Sequence, residues 1–226
     1  VFTVGDMVSA TSGGTFVGNV AMSGTLDVAG DVSLDGGSFV FNESSADKDF
    51  RVESNNNTHM LFVDGGNDKV MIGLETPDVF NGTTPPLQIE GTDNNKASLS
   101  ITRNSNDNGQ PLLILSKSRG TSVNSDTILQ DNDVVGEIVF LGADGNDRNS
   151  QVATIQATVD GTPGSNDMPG ALSFRTTADG AATATERMRI DSSGKVGIGT
   201  TNPLHDLQIN TAAPEIQLEE TSSGGS

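Results

Sequence analysis

The sequence predicts an all-β fold: an elongated homotrimeric fibre in which an intertwined Gly-hexad β stem is followed by repeated β-hairpin or β-sandwich-like modules. Three observations predict it. Large apolar residues are scarce, glycine recurs every six residues in one early stretch, and one passage of sequence is written twice. Of 226 residues, 33% are hydrophobic and 4% aromatic, and 27 are Gly. The aromatic residues are all Phe, and Ser, Thr, Asn and Asp, which with Gly form turns, fill much of the remainder. A chain so poor in large side chains cannot fill a thick core. It is either disordered or a thin β structure whose narrow cores are shared between chains. Clear alternation in many short segments argues for the second.

The glycine hexads occupy residues 18–41, "GNVAMS GTLDVA GDVSLD GGSFVF". Gly18, Gly24, Gly30 and Gly36 open the units, and Val20 and Met22, Leu26 and Val28, then Val32 and Leu34 alternate within them. The fourth unit keeps Val40 but has Ser38 in the first apolar slot. Each unit reads as a very short strand closed by a glycine turn, and the fixed period marks a repeat architecture. Burying a side chain stabilises by roughly 1.5–3 kcal/mol, whereas ordering the backbone costs about 1–2 kcal/mol per residue. So few apolar residues need neighbours, and three copies wound about one axis provide them. A single-chain left-handed β-helix is the rival. It uses about three hexads per coil, so four hexads barely complete one.

The doubled passage is "HMLFVDGGNDKVMIGLETP" at 59–77 and "ERMRIDSSGKVGIGTTNP" at 186–203. Val63 aligns with Ile190, Asp64 with Asp191, Lys69 with Lys195 and Val70 with Val196. Ile72 aligns with Ile198, Gly73 with Gly199 and Pro77 with Pro203. Beyond the proline, "LQI" at 87–89 answers "LQI" at 207–209, and "ASLSI" at 97–101 answers "PEIQL" at 214–218. The unit is therefore strand, Asp/Gly turn, strand, Ile-Gly, proline bend, "LQI" strand and a further strand. "DFRVES" at 49–54 forms a hairpin with the first copy. Further strands are expected at 112–117, 136–142, 152–159, 171–176 and 186–190, separated by Gly-, Asn- and Pro-rich turns. In "VATIQATV", Ala153, Ile155, Ala157 and Val159 face one way and Thr154, Gln156 and Thr158 the other. Helix is expected to be minor, at most one turn in "DGAATATERM". Four regions follow: a Gly-hexad stem at 1–41, a first hairpin module at 42–96, a larger antiparallel module ending in the second repeat copy at 97–203, and the start of a further module or linker at 204–226.

"TERMRIDSSGKVGIGTTNP" resembles a passage common in bacteriophage tail fibre and tailspike proteins, especially those of marine phages. In that family it often lies upstream of an intramolecular chaperone domain that trimerises the fibre and is then cleaved off. "TILQDNDVVGEIVFLGADG" and "VDGTPGSNDMPGALSFRTTADGA" look like the same kind of module, and the hexads resemble fibre stems more loosely. The resemblance covers about residues 97–218, and 49–96 through the internal repeat. It implies a shaft or spacer in a virion appendage, with other tail or fibre proteins and a host-surface glycan or protein as partners. No cleavage residues are carried over, because the chain stops before such a domain would begin.

Composition narrows the alternatives. A formal net charge of −18 excludes nucleic acid as a natural partner and disfavours an anionic membrane. There is no cysteine for disulfides and no apolar run of about 18 residues for a membrane span. The chain starts without Met, carries no charged-then-apolar signal segment and ends in "SSGGS", as a piece of a longer protein would. Sequons stand at Asn42, Asn56 and Asn81 and matter only in a eukaryotic secretory route.

No catalytic residue and no cofactor is expected. "GIGTTN" at 197–202 lacks the third glycine of a dinucleotide loop and runs into Pro203. His59 and His205 are the two histidines, read as surface groups facing solvent or a neighbouring chain; on a three-fold axis either could gather three copies around a metal. Calcium is the one ion the acidic turns suggest, with Asp131, Asp133, Asp144 and Asp147 as ligands. The competing reading of these residues is turn chemistry. Phe62, Phe140 and Phe174, at alternating strand positions, are expected in the core. The loops at 143–150 and 160–170 are the candidates for receptor contact. Two other classes compete with the fibre: a bacterial surface adhesin or repeat protein, and an enzyme, either a hexapeptide-repeat acyltransferase or a glycan-depolymerising tailspike.

Overall fold

A computed structural model of the chain describes residues 47–217. The Gly-hexad stem expected at 1–41 lies outside the described residues. Within them there are ten strands and no helix, so the single helical turn considered for "DGAATATERM" does not form. β1 (Phe50–Ser54), β2 (Asn57–Asp64), β3 (Lys69–Ile72) and β4 (Leu87–Ile89) make a four-stranded sheet in chain order. β5 (Val134–Gly142), β6 (Ser150–Val159), β7 (Gly170–Thr176), β8 (Thr185–Ile190), β9 (Val196–Ile198) and β10 (Leu207–Ile209) make a six-stranded sheet, also in chain order. Neighbours are antiparallel except β3 with β4 and β9 with β10, which are parallel. β10 thus belongs to the same sheet as β9 although Pro203 separates them in sequence.

The duplicated passage is a duplicated structure, and it is wider than the sequence repeat. β1–β4 correspond to β7–β10 pair by pair. Phe50 faces Val63 as Leu172 faces Ile190, and Val52 faces Leu61 as Phe174 faces Met188. Val63 faces Val70 and Val70 faces Leu87; equally, Ile190 faces Val196 and Val196 faces Leu207. Even the irregularity recurs, directly after Val52 in β1 and directly after Phe174 in β7.

The turn chemistry explains why the repeat is so well kept. Asp64 Oδ1 accepts the Gly66 and Asn67 amides, and Asp191 Oδ1 accepts those of Ser193 and Lys195. Each aspartate thereby folds its own hairpin turn. Gly73 and Gly199 follow with positive φ of 89° and 70°. Their amides donate to the His59 and Arg187 carbonyls. A Cβ on either would overlap the carbonyl oxygen of Glu90 or Asn210, just past the "LQI" strand. The glutamine of "LQI" then fastens the proline bend: Gln88 Oε1 accepts the Asp78 amide at 2.9 Å and Gln208 Oε1 the Leu204 amide at 2.8 Å. Both donor residues directly follow the aligned prolines.

Where the copies differ, packing gives the reason. Phe62 faces Met71 in the first copy, and Arg189 faces Gly197 in the second. Met71 is fully buried and Phe62 nearly so. The shorter connection of the second copy lies against Gly197, where a Cβ would sit 2.6 Å from the Thr200 carbonyl oxygen. The side chain has been removed to let the bend close.

Three expectations need correction. Segments 97–101 and 112–117 are extended in sequence pattern but join no sheet, and neither do 214–217. Alternation specifies a strand locally, whereas a sheet needs a partner edge, and among the described residues 97–101 and 112–117 pair with no strand. In β6 the alternation is as expected and Val159 is buried, yet Thr154 on the opposite face is buried as well, at 2% exposure, while Ala153, Ile155 and Ala157 are only half-buried. Phe140 and Phe174, expected in the core, are 50% and 36% exposed, and Phe62 alone of the three is buried.

Gly199→Ala combines a left-handed backbone with a carbonyl overlap. It is expected to destabilise by more than the ~1–3 kcal/mol typical of a strained backbone alone. Gly194 also has positive φ, 79°, but open space at its Cβ position, so Gly194→Ala should lose less. Thermal unfolding of the two variants side by side checks this order.

Candidate functional site

The feature that stands out is a face of the six-stranded sheet. One row of cross-strand neighbours runs Ile138, Ile155, Phe174, Met188, Ile198 and Ile209. A second runs Gly136, Ala157, Leu172, Ile190, Val196 and Leu207. The two rows lie on the same side, because side chains alternate along each strand. Together they cross all six strands with no polar residue. Leu172 is 38% exposed, Ile190 38% and Leu207 55%. The four-stranded sheet carries the same pattern, Phe50, Val63, Val70 and Leu87 in one row, with Val52 facing Leu61 and Ile72 facing Ile89 beside it.

The opposite face is polar and closed. Between the two apolar rows, pointing the other way, run Glu137, Gln156, Ser173, Arg189, Gly197 and Gln208. Arg189 forms a two-pronged pair with Glu186, at 2.7 and 3.0 Å, and also donates to the Thr201 carbonyl. Arg175 donates to Gln156 Oε1 and to the Ala184 carbonyl. Ser173 at 1% exposure lies among them, and the buried Thr154 hydroxyl has no hydrogen-bond partner. Long polar side chains and the 200–203 bend thus shelter the polar face, while the apolar face stays open. Among the described residues, the buried apolar set is Phe62, Met71, Leu129, Val159, Ala171 and Ala184, against two dozen large apolar residues that are exposed.

Part of the apolar face is touched by the chain itself. Gly136 occupies the end of the second row, and a Cβ there would come within 2.8 Å of the Leu115 Cβ. Leu115 fills the space a side chain at 136 would take. With Ile138, Ile155, Ala157 and Leu172 it lines an open recess of about 150 Å³.

The segment bearing Leu115 is anchored by Asp133. This carboxylate is 8% exposed, takes both Arg119 Nε at 2.6 Å and Nη2 at 2.8 Å, and accepts the Gln130 amide. Lys117 Nζ adds a contact at 3.2 Å. The Arg119 guanidinium, then the Gln130 amide, hold the Asp133 carboxyl well below the usual carboxylate range. A second bracket joins the two sheets. Arg148 pairs with Asp78 and, at 3.2 Å, with Glu90, and stands 5.4 Å from the centroid of the Phe80 ring. Its neighbour Asn149 accepts the Asn81 amide.

The calcium candidates fall in two separate turns. Asp133 is the ion-paired anchor just described. Asp131 accepts the Gly161 amide. Asp144 accepts the amides of Asn146 and Asp147 and the Ser150 hydroxyl, and Asp147 accepts the Asn149 amide. Asp144 and Asp147 thus hold their own turn, whereas Asp131 and Asp133 reach residues distant in sequence. The carboxylates that do converge are Asp47, Asp49 and Asp64, with oxygens within 4.8 Å of one another. Sequence reading missed this group because Asp47 and Asp49 precede the repeat and only pairing of β1 with β2 brings them to the Asp64 turn. Asp49 and Asp64 already accept amides of that turn. His59, expected at the surface, has a side chain only 12% exposed, edge-on to Phe62 at 5.1 Å between centroids. It lines an open recess of about 520 Å³ with Asp49, Arg51, Glu53 and Glu75. His205 is exposed in the proline bend.

No family model matches the chain, and no curated protein matches it. Among solved structures it is similar to the carboxy-terminal domain of the bacteriophage T5 L-shaped tail fibre, with a TM-score of 0.42 and 14% identity over 54% of each chain. It is similar also to the structure of that domain with its intramolecular chaperone domain, with a TM-score of 0.44 and 15% identity over 54% of this chain and 37% of that one. The chain thus spans about half or less of the length of these two structures.

The lowered Asp133 pKa gives a pH dependence of definite sign. Its stabilising contribution is fully present above the unfolded carboxylate value of about 3.9 and is lost as pH falls through the lower folded value. Thermal unfolding should therefore show a steeper loss of stability below about pH 4 in the parent than in Asp133→Asn. Equal slopes would show that the anchor does not couple to folding.

Proposed function

We propose that this chain is a structural, non-enzymatic component of a bacteriophage tail fibre or tailspike. It sits in the virion as a homotrimer and acts as a shaft or spacer that supports host attachment. One observation carries the reading: the same two-row apolar pattern recurs on both copies of a repeated four-strand unit, with Val70, Ile72 and Leu87 exposed in the first and Leu172, Phe174, Ile190 and Leu207 in the second. Apolar area of this extent marks an association surface. A foreign globular partner would have to match each copy separately. A sibling chain presents the same units at the same spacing without further design. Three chains closed about an axis give each the same contacts and leave no open face. Stacking of such units lengthens an assembly at constant cross-section, which is mechanical work and needs no reacting group. The phage assignment rests on the sequence pattern at 185–203 and its echo at 59–77.

Host contact, in this reading, belongs to the 160–170 loop rather than to 143–150. Arg148 and Asn149 commit the latter to holding the two sheets together. The former presents Met168 at 53% exposure.

Sedimentation equilibrium and native mass measurement test the proposal. A stable particle of three chains is expected, and Ile190→Asp, which puts a charge in the second row, should reduce it to single chains. A well-folded monomer at micromolar concentration would reject the reading.

A further inference from the structure

Two stretches of the chain have the residues of strands without the partners of strands. Residues 98–102, "SLSIT", place Leu99 and Ile101 on one side and Ser98, Ser100 and Thr102 on the other. The hydroxyls of Ser100 and Thr102 are 3.2 Å apart, as residues two apart on an extended backbone would be. Residues 112–115, "LLIL", are apolar on both sides, at 57%, 67%, 72% and 50% exposure in order. Among the described residues, no backbone hydrogen bond is made within 98–102 or 112–116. Backbone donors and acceptors flanked by bare leucines are a costly combination, since burying the leucines also buries the amides. A strand that is apolar on both faces is what the middle of a covered sheet contains.

We propose that 98–102 and 112–116 are intermolecular strands, each completing its backbone hydrogen bonds on another copy of this chain. The inference rests on the oligomeric reading above and names the segments that knit it together. The occupant is a second copy because the chain is complementary to itself. It carries an apolar strand bare on both sides and, on the six-stranded sheet, an apolar face with unpaired edges at β5 and β10. Among the described residues the two meet where Leu115 lies over Gly136. The recess beside that contact, lined by Ile138, Ile155, Ala157 and Leu172, continues the same surface with room for another apolar side chain. Asp133, through Lys117 and Arg119, fixes the end of the strand and so aims the remainder. In sequence, 97–101 also answers 214–218, so each copy of the repeat is followed by a segment of strand-like pattern. That is the arrangement expected if every unit passes a strand to its neighbour. Strand addition of this kind draws affinity from main-chain hydrogen bonds and specificity from alternate side chains.

Hydrogen exchange followed by mass spectrometry on the unsubstituted protein tests this directly. Peptides covering 98–102 and 112–116 should exchange at least ~100-fold more slowly than an unstructured reference, as amides in a stable sheet do. Because the chain has no cysteine, Leu113→Cys carrying a thiol-linked benzophenone is a clean photocrosslinking probe, with Leu99→Cys as a second site should the first disturb assembly. Crosslinked chain pairs on a denaturing gel are the expected result. Unprotected amides in a particle that is still oligomeric would overturn the strand exchange and leave the fibre reading standing. Protection with crosslinks confined to single chains would do the same. A monomeric particle would remove both.

Discussion

Water is the constraint on which this structure turns. Two rows of aliphatic and aromatic side chains cross six strands; among the described residues Leu115 lies over Gly136 at one end, while Leu172, Ile190 and Leu207 are 38%, 38% and 55% exposed. Apolar surface costs roughly 25 cal/mol for every Å² left in water, so a sheet with its greasy side open is an unfinished object. The opposite side shows that this is not a general looseness of packing. There Arg189, Glu186, Arg175 and Gln156 find each other or a carbonyl, Ser173 is buried, and Gly197 has given up its side chain to admit the proline bend. On the polar side only the Thr154 hydroxyl is buried without a partner among the described residues, whereas Leu172, Ile190 and Leu207 on the apolar side are exposed.

The repeat turns that property into an architecture. Asp at the hairpin, Gly with positive φ after the short strand, Pro in the bend and Gln in "LQI" each solve one local problem, and each is solved identically in both copies. A unit whose internal contacts are local and whose remaining contacts lie along one face can be repeated without redesign. Arg148, in the turn between β5 and β6, joins the two sheets: one guanidinium reaches back to Asp78 and Glu90. The proposed role as a shaft follows from this division between self-sufficient polar side and dependent apolar side.

Much of this was legible in the sequence. The strands at 50–54, 57–64, 69–72, 87–89 and 134–209 were readable because alternation, Asp/Gly turns and the doubled passage agree with each other. The correspondence of β1 with β7 was not, since "FRV" and "LSF" share only their alternation, and pairing was needed to align Phe50 with Leu172. Alternation identified the apolar face that carries Phe140 and Phe174, and within a single chain that face is exposed rather than interior. Likewise Leu112–Leu115 has a strand's composition, but no strand exists without an edge to join. The acidic residues Asp131, Asp133, Asp144 and Asp147 lie close in the string of letters, and in space they fall into two turns in which each accepts an amide or pairs with an arginine. Asp47 and Asp49 gave no sign at all that they would meet Asp64.

The central claim is that sibling chains cover the apolar rows. Thiol reactivity at a residue within them measures this most directly. Leu207→Cys should react with a maleimide far more slowly in the assembled protein than Val123→Cys, whose parent residue is 92% exposed, and the two rates should converge on unfolding. A Leu207→Cys thiol that reacts as fast as the one at 123 in the native particle would contradict the account.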